Sequence, residues 1–255
     1  MGEIMGHEQE KTTALVVLRD EESRALIGGA VAQLPQVQQA KASGRLVIVG
    51  GGSARYAAWS LTGEDPGRDA FAVGCVQDGA LGETPKAGRG PGPIIFENGE
   101  MSRGWPGEVL QRFEAGDIYV KGGNAIDAAG NVAVLMASPV GGTIGAAWAI
   151  ICARGAELVM PVSLNKLVPS VMAATPLMGQ GRVDRVMGTP VGYMPIPAGS
   201  ATVITEVEAF RILFDVEATP VAAGGFDDCA GSLTLHLSGS LHGIEMAWQA
   251  IEGMR

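Results

Sequence analysis

Charge is scarce in this chain. Asp, Glu, Lys and Arg make up 18% of 255 residues, few of the cations are lysine, and they stand singly along the sequence. With a net charge of -9 and no basic run, nothing here displaces counterions from a phosphate backbone, so nucleic acid is excluded as a partner. A small anionic metabolite in a local cationic pocket stays compatible with that acidic envelope. Cysteine is as sparse: Cys75, Cys152 and Cys229 cannot pair completely and form no C-x-x-C, which excludes a disulfide framework and a thiolate zinc site and fits the reducing cytoplasm. His7, His236 and His242 have no third ligand at metal spacing, so no metal is expected. The first eleven residues are polar and acidic where an export signal would be basic and then apolar. Trp59, Trp105, Trp148 and Trp248 lack the interleaved basic residues of a base-stacking surface.

What the chain does hold is apolar residues, at 47%, and 38 glycines without a collagen period. A chain this long buries about 70 to 75% of its unfolded surface. Residues 132–153 carry no charge and are long enough to cross a bilayer, but Pro139, Gly141 and Gly142 break them and no basic or aromatic flank anchors them. They read as a buried strand and helix, with no membrane span. Low charge and many small apolar residues predict a homodimer or higher homo-oligomer.

Helical spacing of Leu26, Ala30, Leu34 and Val37, interrupted at Pro35, predicts helix over residues 23–41. Strands are predicted at residues 45–49, 118–120, 131–136 and 157–162, and helices at 54–61 and 142–154, the latter stopped by Gly155. The alternation implies right-handed crossovers and an α/β fold: a mostly parallel sheet with helices on both faces, occupying residues 1–200. Residues 82–107, rich in Gly, Pro and charge, read as a long surface loop in which only Ile94, Ile95 and Phe96 resemble a strand. From residue 201 a small α+β subdomain is expected, with helices at 205–214 and 243–252 and strands at 218–223 and 232–238, where Leu233, Leu235 and Leu237 alternate with Thr234, His236 and Ser238.

Two glycine-rich turns follow predicted strands. Gly50, Gly51, Gly52 and Ser53 lie between strand and helix, where backbone N–H groups and a helix N-terminus can cradle an anion, with Arg55 one turn on. The turn is neither a Walker A loop nor G-x-G-x-x-G, and the same residues serve equally well as a plain tight turn. The second turn, Lys121, Gly122, Gly123 and Asn124 followed by Asp127, sits where open α/β sheets bind ligands, although Asp127 and Asn131 also suit capping and turning of the backbone.

The strand followed by Gly-Gly-Gly-Ser-Ala-Arg, together with Gly-Gly-Asn-Ala-Ile-Asp-x-x-Gly-Asn-Val at residues 122–132, resembles the superfamily of ribose-phosphate isomerases, glucosamine-phosphate deaminases and CoA transferases, nearest the methylthioribose-phosphate isomerase and initiation-factor branch. The resemblance spans residues 23–168. It implies a small anionic substrate, a sugar phosphate or carboxylate, bound at the strand carboxyl ends by residues 50–53, Arg55 and residues 121–124 without any required cofactor. Those isomerases place a catalytic Asp where this chain has Asn124, which cannot act as a base, so Asp127 is the expected substitute. Glu97, in Glu-Asn-Gly, resembles the nucleophile of CoA transferases and makes CoA an alternative substrate. A sensor that binds without catalysis is the third expectation.

Overall fold

A computed structural model describes residues 11–255; the reading of the first eleven residues falls outside it except at Lys11, as does His7. The chain opens with β1 (Thr12–Leu18), α1 (Asp20–Gln33) and α2 (Pro35–Ser43), then β2 (Arg45–Ile48) and α3 (Gly52–Thr62). A short α4 (Arg68–Phe71) precedes two hairpins, β3 (Gly74–Gln77) with β4 (Ala80–Glu83) and β5 (Ile94–Glu97) with β6 (Glu100–Arg103). After α5 (Gly107–Leu110) come β7 (Ile118–Val120), β8 (Ala125–Ile126), β9 (Val132–Met136), α6 (Gly142–Arg154) and β10 (Glu157–Pro161). The remaining elements are α7 (Val171–Ala174), β11 (Gly192–Ile196), β12 (Thr202–Ile204), α8 (Glu206–Phe214), β13 (Glu217–Gly224), β14 (Ser232–Gly239) and α9 (Leu241–Gly253).

Pro35, at the first position of α2, has no N–H to donate and splits the helical run from α1. Gly155 ends α6 in the left-handed region. Thr205 and Glu208 close a capping box on α8.

The main sheet runs β12-β10-β7-β2-β5-β6. β12, β10, β7 and β2 pair in parallel, whereas β5 pairs antiparallel with both β2 and β6, so the sheet is mixed rather than mostly parallel. The antiparallel pair comes from the segment expected to be a surface loop; Asn98 and Gly99, both at positive φ, make the tight turn of its hairpin.

Alternate residues of the central strands enter two cores. Leu46, Ile48, Val120 and Val159 pack with α1, α3 and α8, while Val47, Tyr119, Leu158 and Met160 pack with α6 and the small antiparallel sheet β11-β9-β8. Burial on both faces is why these strands read as unbroken apolar runs. The uncharged stretch at 132–153 folds as β9 and α6, and among the described residues no helix is long and apolar enough to cross a membrane.

The segment after residue 200 does not stand by itself. β12 is a strand of the main sheet, β14 pairs along its whole length with β1, and Leu233, Leu235 and Leu237 share one continuous core with α1 and β2.

Candidate functional site

The carboxyl ends of the parallel strands are zipped in register. Val49 N–H donates to Val120 O at 3.0 Å, Lys121 N–H to Val159 O at 3.0 Å, and Val162 N–H to Ile204 O at 2.9 Å. The turns leaving β2, β7 and β10 and the start of α8 therefore open side by side on one edge, the place where α/β sheets present their crevices.

On the β2 side, Gly50 is fixed by packing: a Cβ there would lie 1.7 Å from Phe71 O, so no other residue fits. At Gly52, the first residue of α3, a Cβ would lie 3.0 Å from Arg24 Nη1, which places the α1 guanidinium against the start of that helix. Ser53 is buried and its Oγ has no hydrogen-bond partner among the described residues. Arg24 is held by Asp20, with Nε to Oδ1 at 3.0 Å and Nη2 to Oδ2 at 2.5 Å. Asn165 Nδ2 donates to the same Asp20 oxygen at 2.8 Å, tying α1 to the segment that follows β10.

On the β7 side, Lys121 is half-buried, and burial, followed by the charge of Lys166, lowers its ammonium to about 8. Lys166 Nζ donates to Gly123 O at 2.8 Å; burial and then Arg24 lower its pKa, against the opposing pull of Asp20 and Glu206. Glu206 is fully buried and accepts from Ser163 Oγ at 2.5 Å and Leu164 N–H at 2.9 Å. Burial outweighs those bonds and raises its pKa, favouring the carboxylic acid. Two of the five lysines in the chain, an arginine and a helix start thus meet on one edge, with Asp20 and Glu206 as the opposing acids.

The residues expected to form the site divide. Residues 50–53 and 121–123 lie on this edge. Gly123 packs tightly, since a Cβ would come within 2.4 Å of Val132 Cγ1. Arg55 is turned to Asp65, donating from Nε at 2.6 Å, and lies over the rings of Tyr56 and Trp59. Asn124 fastens β9: its Oδ1 accepts from Leu135 N–H at 3.0 Å and its N–H donates to Ala133 O at 2.7 Å.

Asp127 is a loop staple. Its carboxylate accepts from the N–H groups of Ala129, Asn131 and Val171 and twice from Asn131 Nδ2, all at 2.9 to 3.1 Å. Burial pushes this carboxyl up, but the bonds from Asn131, Val171 and Ala129 prevail and hold it below its ordinary value. A base needs a free lone pair facing substrate, and these bonds engage both oxygens.

Glu97 lies at the other end of the strands. It pairs in register with Arg45, the first residue of β2, and binds Arg112 Nη2 at 2.7 and 2.8 Å. Five residue steps of extended chain take Arg45 to Gly50, about 16 Å at the usual rise, and leave the CoA-transferase reading without its nucleophile.

Arg24, Lys166, Ser163 and Glu206 were not singled out from sequence. Each belongs to a segment that looks ordinary locally: an acidic first helical turn, a short turn after a strand, and a capping box. A hollow of about 700 Å³ lies between α1 and α3, lined by Arg19, Asp20, Glu21, Glu22, Tyr56 and Trp59 among others, and shares Asp20 with this edge. Glu22 is bonded to Arg19 and Arg255, and Glu21 accepts from Tyr56 Oη, so its acidic lining already has protein partners. Among the described residues, no three His, Cys, Asp or Glu side chains gather to hold a metal ion. No family model, curated protein or solved structure matches this chain.

Proposed function

We propose that the chain binds a small anionic metabolite, a sugar phosphate or carboxylate, at the carboxyl ends of β2, β7 and β10, and transforms it there. The observation that carries this reading is Lys121: a half-buried ammonium that faces another cation, Lys166, and no carboxylate, in a protein whose net charge is -9. Holding such a charge away from water is costly unless something answers it, and an anion seated at the start of α3 does so. The likeness of the two glycine-rich turns to those of sugar-phosphate isomerases supports the same ligand class.

A sensor that binds the anion without turning it over is the second reading. It is favoured by Asn124 Oδ1 and the Asp127 carboxylate, which are bound within the protein rather than offered to a substrate.

Calorimetry with inorganic phosphate and ribose 5-phosphate, using ribose as the uncharged control, tests the binding. Both anions should bind and ribose should not. At a hundredfold excess over Kd the bound anion should add about 2.7 kcal/mol to stability. Lys121→Met should weaken both anions about tenfold, the loss of one partly buried charge-assisted contact. Equal affinity in the variant, or no binding by either anion, would remove this reading.

A further inference from the structure

An amine attacks a carbonyl only when it is neutral, reachable and not tied up as a hydrogen-bond donor, and most lysines fail on the first count. Among the described residues Lys121 meets the structural conditions. It follows the central parallel strand β7 directly, is half-buried, and has neither a hydrogen bond nor an ion pair from its Nζ.

Lys166, its neighbour, is placed differently. Its Nζ is anchored to Gly123 O, and the Asp20 carboxylate favours its charged form. When two ammonium groups face each other, the one with counter-charges keeps its proton and the other gives it up. The pair is therefore asymmetric: of the two ammonium groups, Lys121 gives up its proton more readily.

We propose that Lys121 is a nucleophile that forms an imine with an aldehyde or ketone bearing a phosphate or carboxylate. The proposal rests on the reading of this edge as an anion site and names the group that reacts there. The anionic end of the molecule lies toward Arg24, Lys166 and the start of α3, which sets the carbonyl against Lys121.

The Nζ lone pair forms the C–N bond while the carbonyl π pair moves to oxygen, which takes one proton from the nitrogen. The nitrogen lone pair then forms C=N as the hydroxyl departs, and the second N–H proton leaves with it as water. Amine and carbonyl become imine and water, with nothing oxidised or reduced. Glu206, whose burial favours the acid form, and the Lys166 ammonium are the proton-bearing groups of the cluster, with Arg24 and Asp20 as its fixed charges. An iminium also draws electrons from the adjacent carbon, which eases proton removal there in a site that has Asn124 in place of an Asp.

The full chain, incubated with dihydroxyacetone phosphate and reduced with borohydride, should gain the mass of one reduced adduct, mapped by peptide sequencing to Lys121. Dihydroxyacetone at the same concentration should give about tenfold less, since it lacks the anion that holds the carbonyl in place. Adduct formation should rise with pH to a midpoint near 8. Lys121→Arg, which supplies a cation but cannot form an imine, should bind phosphate more tightly than Lys121→Met and lose the adduct, whereas Lys166→Met should move the midpoint upward. Label on other lysines, or an undiminished adduct in Lys121→Arg, overturns the proposal. Phosphate binding without any adduct defeats the imine and leaves the anion site standing; absence of phosphate binding defeats both.

Discussion

Asp117 and Lys121 bracket the same three-residue strand, β7, and their surroundings differ in kind. At the amino end Asp117 is 4% exposed and accepts from Arg45 N–H at 2.8 Å, Arg45 Nη1 at 3.0 Å and Glu114 N–H at 2.7 Å, and beside it Glu97 joins Arg45 and Arg112. Each of these charges meets its opposite. At the carboxyl end Lys121 meets Lys166 and has no acid of its own. Charges balanced inside the protein hold strands in place, whereas a charge left unbalanced at a strand's carboxyl end asks for a ligand. The comparison can be broken at either end.

The largest effect is expected from Asp117→Ala. The substitution leaves two backbone N–H groups without an acceptor and the partly buried Arg45 guanidinium with only the half-exposed Glu97, and breaking a buried pair from one side costs about 3 to 5 kcal/mol. Urea unfolding should show that loss as a lower midpoint at unchanged slope. A loss below about 1 kcal/mol would mean that the amino end is no better organised than a surface pair.

Most of the scaffold was legible because its signals are local. Residues 45–49 and 118–120 read as strands since both faces are covered, and α6 ends where Gly155 reverses the chain. In the β5–β6 hairpin only residues 94–96 resemble a strand in the sequence; β6 reads as loop because it is four residues long and three of them are exposed. β1 lies outside every element predicted from sequence, although its pairing with β14 ties the two ends of the described chain together. Half of the candidate site was legible, namely the two glycine turns. The other half was not, because Arg24, Lys166 and Glu206 meet only through tertiary packing of α1, β10 and α8, and no local pattern reports which cation lacks a partner.

A smaller effect should follow from Lys121→Met. The folded protein holds the Lys121 proton only up to about pH 8, against 10.5 for an ordinary lysine. Between these values the unfolded chain binds more protons, so stability rises with pH; below 8 the full cost of the buried ammonium is present, and above 10.5 it is gone. The variant should be more stable at pH 7, on the order of 1 kcal/mol once partial exposure is discounted. The gain should shrink from pH 8 upward. Lys166 is shifted in the same direction, so the comparison is the difference between wild type and variant melts across that range. A variant less stable than wild type at pH 7 would show that Lys121 has a counter-charge after all.

The smallest effect is expected where the sequence pointed to catalysis. Glu97 is bound by Arg112 and Arg45, but its side chain is 36% exposed and that of Arg112 51%, so water already screens the pair. Exposed ion pairs contribute about 0.2 to 1 kcal/mol, and Arg45 keeps Asp117 when Glu97 is removed. Glu97→Ala should therefore change stability by no more than about 0.5 kcal/mol in urea unfolding and leave phosphate affinity at the opposite edge unchanged. Sites this far apart with no shared partner act independently, which makes the variant the control for Lys121→Met. If Glu97→Ala weakens phosphate binding severalfold while the fold stays intact, the two ends of β7 are coupled, and the assignment of ligand binding to the carboxyl end alone is wrong.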